Sequence, residues 1–307
     1  MLFSFLATFN GLLGINVKRL RISKYPNFVF PQKDIYHCRI GIQISANVPI
    51  SIYSGLSPSI SIAIKKAFSE MCEGIFLKDL SRGKQFNRSG VSCHLTREEA
   101  VQKSYDEIIE RDSFLMHFLN PKLKTVVLNS LEYPDFEVRV IELQSIDNQT
   151  RIVSTAIIDK KAKFWFIGLS SGGKTQFSTE ELISKSYYES IMLYSNWSSL
   201  RFKKNNNKLL EDVEAHLISS AEKKNTLALE TIFKAIGKKE LPFQKDTKNL
   251  KIINQKKLRN RHIILGEIPD TLKLEFGKKW IDNQNYYKKI LKKRGLKMEH
   301  WGLHPLM

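Results

Sequence analysis

The chain has 307 residues, enough for one large domain or two ordinary ones, and its 42% hydrophobic and 26% charged residues are typical of a globular protein. Its net charge of +18 favours an anionic partner such as a nucleotide, an acidic peptide or a nucleic acid. Because the lysines are spread widely, without a nucleic-acid motif, a nucleic acid is the least expected of these partners. The three cysteines have no metal-ligand spacing and predict no disulfide framework, which favours a reducing, cytoplasmic location.

The apolar N-terminus, residues 1–15, is too short to span a bilayer and lacks a preceding basic segment, so no membrane association is expected. We interpret it as a folded element, with a weak export signal as the alternative. A loop is predicted at 54–59, and short turns between the central strands predict an antiparallel meander in an α+β fold. The predicted strands are 36–44, 125–128, 136–143, 151–158, 163–167, 250–253 and 261–265. The predicted helices are 61–77, 97–119, 179–197, 209–222 and 226–236.

The predicted helix at 97–119 carries an unusual polar ridge. Ser104, Glu107, Glu110 and Arg111 share one face, because residues three and four apart are neighbours on a helix. Two carboxylates one turn apart repel each other, but their oxygens are the ligands that Mg²⁺ prefers. The ridge is therefore either part of a cation site or an ordinary charged surface facing solvent.

Two further predicted helices repeat this arrangement, and each is entered from a loop. The helix at 61–77 carries Glu70 and Glu73 on one face, and the helix at 179–197 carries Glu189. Three Glu-bearing helices of this kind favour a shared metal and anion site over three unrelated surfaces.

A competing phosphate-binding motif lies just before the third of these helices. Gly168–Thr175 matches the P-loop pattern GxxxxGK[ST] between an apolar strand and a helix, so Lys174 would reach phosphates and Thr175 would hold Mg²⁺. However, the best helix caps, Ser178 and Thr179, come after the Lys-Thr pair, and the flanking strands look antiparallel. A P-loop NTPase is therefore kept as an alternative function.

The middle block, Gly90–Ala100 running into Ser104–Asp112, resembles the SxxExxER block of the YcaO family and the glycine turn before it. This resemblance implies a YcaO-type fold, mostly antiparallel, in which Glu-bearing helices surround an ATP site unrelated to P-loops. Supporting similarities extend over nearly the whole chain, at Gly11–Gly14, Lys66–Glu73, Gly168–Glu189 and Ile268–Gly277.

The resemblance also implies an enzyme that uses ATP and Mg²⁺ to activate backbone amides of a ribosomally made precursor peptide. In azoline-forming members a Cys, Ser or Thr side chain attacks the preceding carbonyl, the oxyanion takes a phosphoryl group from ATP, and phosphate leaves. Relatives form thioamides or amidines instead. The implied metal ligands are Glu70, Glu73, Glu107, Glu110 and Glu189. The implied ATP contacts are Lys66, Ser92, Ser104 and Arg111.

The implied assembly extends beyond this chain. At 307 residues we expect no fused domain for binding a leader peptide, so a separate partner protein is expected, and a homodimer is common in the family. Within a single domain, 1–307, we expect a nucleotide-site core over 1–200 and a C-terminal subdomain with a tail over 209–307.

Several positions depart from the family pattern. Lys66 stands where the family has Ser, Gly74 where it has Arg, and Met192 where it has Gln. The proline-rich tail of azoline-forming members is reduced to His304-Pro305. The alternative function on this ground is a catalytically degenerate scaffold subunit of a peptide-modifying complex.

Overall fold

A computed structural model describes most of the chain. The predicted element at 1–15, most of the predicted helix at 209–222 and the tail residue Pro305 lie outside the described residues. No helix in the described part is long and apolar enough to cross a membrane. The described residues are 16–25, 27, 29, 34–43, 50–81, 89–147, 149–200, 218–241, 249–258, 260–274, 278–302 and 304.

The described strands and helices that were predicted follow one another in the predicted order, and the strands at 51–57 and 91–94 were not predicted. The strands are β1 (Asn16–Tyr25), β2 (Ile35–Gln43), β3 (Ser51–Ser57), β4 (Val91–His94), β5 (Thr125–Glu132), β6 (Phe136–Leu143), β7 (Thr150–Asp159), β8 (Trp165–Gly173), β9 (Lys251–Leu258) and β10 (Arg261–Glu267). The helices are α1 (Ile60–Ser81), α2 (Arg97–Leu119), α3 (Thr179–Leu200), α4 (Lys223–Phe233), α5 (Lys278–Asp282) and α6 (Gln284–Lys293). The middle Glu-bearing helix, α2, and strand β6 have the predicted bounds.

The chain divides into two compact units. The first comprises residues 1–86, 92–97 and 256–263, and the second comprises residues 87–91, 98–255 and 264–307. The sheets have the strand orders β1-β2-β3, β4-β10-β9 and β5-β6-β7-β8. The pairings within the first and the last of these are antiparallel, so the predicted meander is confirmed. The single domain with a core over 1–200 stays a prediction.

In the first unit, α1 packs on strands β2 and β3. Gly55 allows this close approach, because a Cβ atom there would lie 2.3 Å from the carbonyl oxygen of Ala63. The prediction of a loop over 54–59 is wrong up to Ser57, since these residues pair with β2. The buried apolar contacts between β2 and α1 involve Cys38, Ile40, Ile42, Ala63, Ala67 and Met71.

In the second unit, the meander has helices on both faces. Ile167 and Leu169 of β8 join the main core, to which the C-terminal half of α2 also contributes. On the other face, the hydroxyls of Thr155 on β7 and Ser186 on α3 lie 2.6 Å apart and share a hydrogen bond. The sheet therefore holds α2 and α3 at fixed positions on its opposite sides.

The half-buried ring of His300 should make the free energy of unfolding depend on pH. Its ring lies edge-on to Phe118 at 4.7 Å, and burial, with Lys224 nearby, lowers its pKa to about 4. Below a pH of about 6.5 the His300 imidazole is protonated in the unfolded chain but stays neutral in the folded chain. The free energy of unfolding therefore falls as the pH decreases towards 4. We expect the wild type to lose about 1 kcal/mol more than His300→Phe between pH 7 and pH 5, measured by urea unfolding. Equal losses in the two proteins would contradict this assignment.

Candidate functional site

Helix α2 has two halves of different character. The N-terminal half is polar and carries Glu98 and Glu99 in its first turn, where negative charges suit a helix N-terminus. The C-terminal half, from Ile108 to Leu119, is almost wholly buried. Burial of one half anchors the helix, and the other half presents charged side chains from a fixed support.

Ser104 secures the turn that leads towards α2. Its buried hydroxyl donates a 2.7 Å hydrogen bond to the carbonyl oxygen of Gly90, which also accepts the backbone N–H of Gly266 at 2.9 Å. Gly90 has a φ of 84°, a left-handed conformation that favours glycine. Ser104 therefore has a structural role in this turn, and its contact with ATP stays a prediction.

The edge of β8 brings together carboxylates from two helices. Ser171 of β8 donates its hydroxyl to Glu110 of α2 at 2.7 Å. Two residues earlier, the backbone N–H of Leu169 donates to Glu189 of α3 at 3.1 Å. Glu110 and Glu189 also interact electrostatically, so this edge forms one acidic site from elements on opposite faces of the sheet.

Two basic side chains complete this site, which we call the β8-edge cluster: Lys103, Asp106, Glu107, Glu110, Arg111 and Glu189. The Nε atom of Arg111 lies 4.0 Å from Glu110, and Arg111 also acts on Glu189. Lys103 interacts with all four carboxylates. With every group ionised, two positive and four negative charges leave the cluster at a formal charge of −2.

The pKa values reflect this crowding. Burial raises the pKa of Glu189 to about 6, against the opposing effect of Arg111. Burial also raises the pKa of Asp106, although a hydrogen bond from Gln102 works against it. Crowding by protein atoms works to lower the pKa of Lys103, but Glu110 and the other carboxylates outweigh it and raise that pKa. The cluster thus favours added positive charge.

Sequence reasoning missed three members or supports of this site. Lys103 precedes the SxxExxER block and Asp106 is one of its variable positions, although each lies four residues before a predicted ligand, Glu107 or Glu110, on the same helix. Ser171 was hidden because its segment was interpreted as a glycine loop. If that segment is assigned as a strand, alternate side chains point to the same face of the sheet, and Ser171 is then expected to face α2.

The other predicted ligands belong to the first unit. Glu70 is exposed and Glu73 is half-buried on α1, and Ser92 is buried on β4. The Lys66 ammonium donates to the carbonyl oxygen of Leu56 at 3.1 Å. Their roles towards Mg²⁺ and ATP stay predictions.

Gly74, at the family's Arg position, has a packing explanation. A Cβ atom there would lie 2.3 Å from the ring of Tyr53, which belongs to β3 and packs on α1 at this point. The aromatic ring therefore occupies the space that a longer side chain would need. Met192, at the family's Gln position, is half-buried on α3.

The P-loop interpretation of Gly168–Thr175 is contradicted by the backbone. Residues 168–173 continue strand β8 and pair with β7, so they form a ladder rather than a phosphate cradle. Lys174 is exposed in the following turn, and its N–H donates to the carbonyl oxygen of Gln149 at 2.9 Å. Helix α3 begins only at Thr179, as the capping residues predicted.

A Mg²⁺ ion fits the β8-edge cluster only if waters and substrate phosphates complete its coordination. Among the described residues, no group of three or more His, Cys, Asp or Glu side chains is arranged to hold a metal ion. Mg²⁺ commonly uses one or two carboxylates, with waters and substrate phosphates completing its coordination. Glu110 and Glu189 match that requirement, because each is positioned by β8 and the cluster has a formal charge of −2.

The described part of the tail is packed into the second unit. His304 is buried with its ring edge-on to Trp280 at 4.6 Å, and the Trp280 indole N–H donates to the carbonyl oxygen of Gly302 at 2.8 Å. Trp301 stacks on Trp280 at 5.0 Å. The tail therefore contributes to the core as far as His304.

Comparisons with solved structures identify the fold. A chain of the E. coli microcin synthetase McbBCD complex matches 82% of this chain and 88% of its own length, with 12% identity and a TM-score of 0.56. A heterocyclase in complex with substrate and cofactor matches 84% of this chain, with 12% identity and a TM-score of 0.53. YcaO from Methanopyrus kandleri bound with AMPPCP and Mg²⁺ matches 59% of this chain, with 12% identity and a TM-score of 0.46.

These similarities are structural. No protein-family model and no curated protein sequence matches the chain. The chain spans 64% of the length of the Methanopyrus protein and 50% of that of the heterocyclase. The resemblance predicted from the sequence is confirmed as structural similarity to microcin synthetase and heterocyclase chains over most of the chain.

Proposed function

We propose that the chain is an ATP- and Mg²⁺-dependent enzyme that activates backbone amides of a precursor peptide. Its products would be azoline rings, as in thiazole/oxazole-modified peptides such as bacteriocins, or a thioamide or amidine. The observation that carries this proposal is the β8-edge cluster, where carboxylates from two helices meet two basic side chains. Such a cluster suits a ligand that combines phosphates with a divalent cation. The fold shared with heterocyclases supports the same class of reaction.

In this proposal four side chains of the cluster have defined tasks. Glu110 and Glu189 hold Mg²⁺, Glu107 adds negative charge on α2 beside them, and Arg111 contacts a phosphate or braces Glu110. Bound MgATP would supply the phosphoryl group that turns the amide oxygen into a leaving group. The protein's contribution is preorganisation, because Ser171 and the edge of β8 fix the carboxylates before any ligand arrives.

The proposal includes a peptide substrate and a separate partner. One solved structure of this fold is the microcin synthetase McbBCD complex with pro-MccB17 bound. By analogy, this chain would act on a precursor peptide presented by a leader-binding partner, and two copies of the chain would form a homodimer. Its net charge of +18 suits an acidic segment of the peptide or the partner.

A scaffold function is the second candidate, and Gly74 favours it. Gly74 supplies no side chain where the family has Arg, and the Tyr53 ring fills the space beside it. In this alternative the fold and its peptide partner are retained without turnover of ATP.

Turnover of ATP by the wild type separates the two functions, and the role of the cluster is tested by the isosteric substitution Glu110→Gln. We expect it to lower phosphate release from ATP by about 10–100-fold, because Gln lacks the charge that holds Mg²⁺. The assay contains the chain, its partner and a precursor peptide rich in Cys, Ser or Thr. Mass spectrometry of the peptide should show the loss of one water per ring formed.

Two matched variants serve as controls for this assay. Glu180→Gln changes an exposed glutamate in the first turn of α3, and Lys174→Ala removes the P-loop lysine. Both variants should retain wild-type turnover. Loss of turnover in Lys174→Ala alone would reject the proposal, and an inactive wild type that still binds the peptide complex would support the scaffold.

A further inference from the structure

Lys103 of α2 interacts with all four carboxylates of the β8-edge cluster. It lies one turn before Glu107 and two turns before Glu110. Because residues four apart are neighbours on a helix surface, Glu107 adjoins Lys103, and Glu110 also acts on it electrostatically. Asp106, three residues on, and Glu189 of α3 also act on it. One ammonium group thus interacts electrostatically with four carboxylates from two helices.

The two cations of the β8-edge cluster differ in freedom. The Arg111 side chain is only 16% exposed and lies beside the buried Glu110. The Lys103 side chain is exposed, and its ammonium group is a compact charge on a flexible four-carbon stem. Lys103 can therefore exchange partners without any movement of α2, whereas Arg111 is held in place.

Lys103 should affect the binding of a divalent cation to the β8-edge cluster. In the described part of the chain, the carboxylates form no ready-made metal site of three ligands. Mg²⁺ arriving alone would meet an ammonium group that repels it and competes for the same oxygens. A nucleoside triphosphate changes this balance, because its phosphates attract the ammonium while the carboxylates receive Mg²⁺.

We propose that Lys103 is a phosphate-binding residue that acts as the internal counter-ion of the β8-edge cluster until Mg²⁺ and a nucleoside triphosphate bind together. The inference rests on the proposed function for the identity of the ligand. It adds a residue outside the SxxExxER block and a defined order of events, in which Mg²⁺ and the triphosphate enter as one unit.

Calorimetric titration of the full chain with AMPPCP and Mg²⁺ tests the phosphate contact. Lys103→Met should weaken binding by at least about tenfold, because a charge-assisted contact to phosphate is lost. Lys103→Arg should retain most of the affinity. AMP lacks the β- and γ-phosphates, so its affinity should be the same in all three proteins.

The matched control is Lys161→Met, which removes the same charge from an exposed lysine in the turn after β7. It should bind AMPPCP and Mg²⁺ as the wild type does. Lys103→Gln replaces Lys103→Met if the methionine variant fails to fold, as judged by its thermal transition.

A second measurement uses Mg²⁺ without nucleotide and tests the counter-ion role. Mg²⁺ alone should leave the melting temperature of the wild type nearly unchanged and raise that of Lys103→Met, because the carboxylates have lost their ammonium partner. Equal Mg²⁺ responses in the two proteins would show that Lys103 does not compete with the ion.

The outcomes separate this inference from the proposed function. If the wild type binds AMPPCP with Mg²⁺ and Lys103→Met binds it equally well, the inference is wrong and the proposed function stands. If the wild type binds no nucleotide, both are overturned. Weakened binding in Lys103→Met, with normal binding in Lys161→Met, supports both.

Discussion

Replacement of Asp112 by alanine is expected to lower the free energy of unfolding by about 3–5 kcal/mol. Arg294 donates to both oxygens of Asp112 at 3.0 and 2.9 Å, and the two side chains are 2% and 0% exposed. Asp112 also accepts the backbone N–H of Leu272 at 2.6 Å. Removing the carboxylate leaves a buried guanidinium uncompensated, which costs more than the pair contributes.

Urea unfolding followed by far-UV circular dichroism measures this loss. Glu132→Ala is the matched control, because it breaks an exposed ion pair with Lys160 and should change stability little. The double variant Asp112→Leu with Arg294→Met should recover much of the loss, since it removes both charges. An Asp112→Ala protein as stable as Glu132→Ala would show that the buried pair has no such role.

Replacement of Gly168 by alanine is expected to disturb both the packing and the site. A Cβ atom at this position would lie 2.1 Å from the carbonyl oxygen of Ser186 and 2.6 Å from the backbone nitrogen of Ser190. Both contacts are with backbone atoms of α3, which cannot rotate away. We expect a loss of about 1–3 kcal/mol in the free energy of unfolding as β8 and α3 separate.

The same substitution should also weaken the binding of AMPPCP with Mg²⁺. The shift of α3 would take Glu189 from the N–H of Leu169, which now holds it at 3.1 Å. Gly173→Ala is the control on the same strand, because its Cβ would meet only the flexible end of Gln176, at 3.1 Å. Equal stability and equal binding in the two variants would mean that β8 and α3 need no close contact.

Much of the fold could be predicted from local pattern. Helix α2 was predicted to its ends because its apolar half and the Asn120-Pro121 stop agree. Strand β6 was equally clear, and short turns gave the antiparallel meander. The division into two compact units could not be predicted, since it depends on which distant segments pack together.

The candidate site was only partly visible in the sequence. Glu110 and Glu189 were identified, but the edge of β8 that joins them was interpreted as a loop, because Gly168–Gly173 contains glycines and serines typical of turns. Gly168 serves instead for close packing against α3, and Ser171 donates its hydroxyl to Glu110 of α2. Lys103 and Asp106 were missed because a sequence motif specifies only its own positions. Electrostatic interactions depend instead on distance, so they include every charged side chain nearby.

The contact between Gly74 and Tyr53 restricts how this chain could acquire the arginine of the family pattern. Because the ring already fills the space beside α1, an arginine introduced at position 74 would first meet aromatic carbons rather than solvent. The Tyr53 ring has to move aside, or a smaller residue has to replace it, for that arginine to fit. The two positions are therefore coupled, and the effect of an arginine at position 74 depends on which residue occupies position 53.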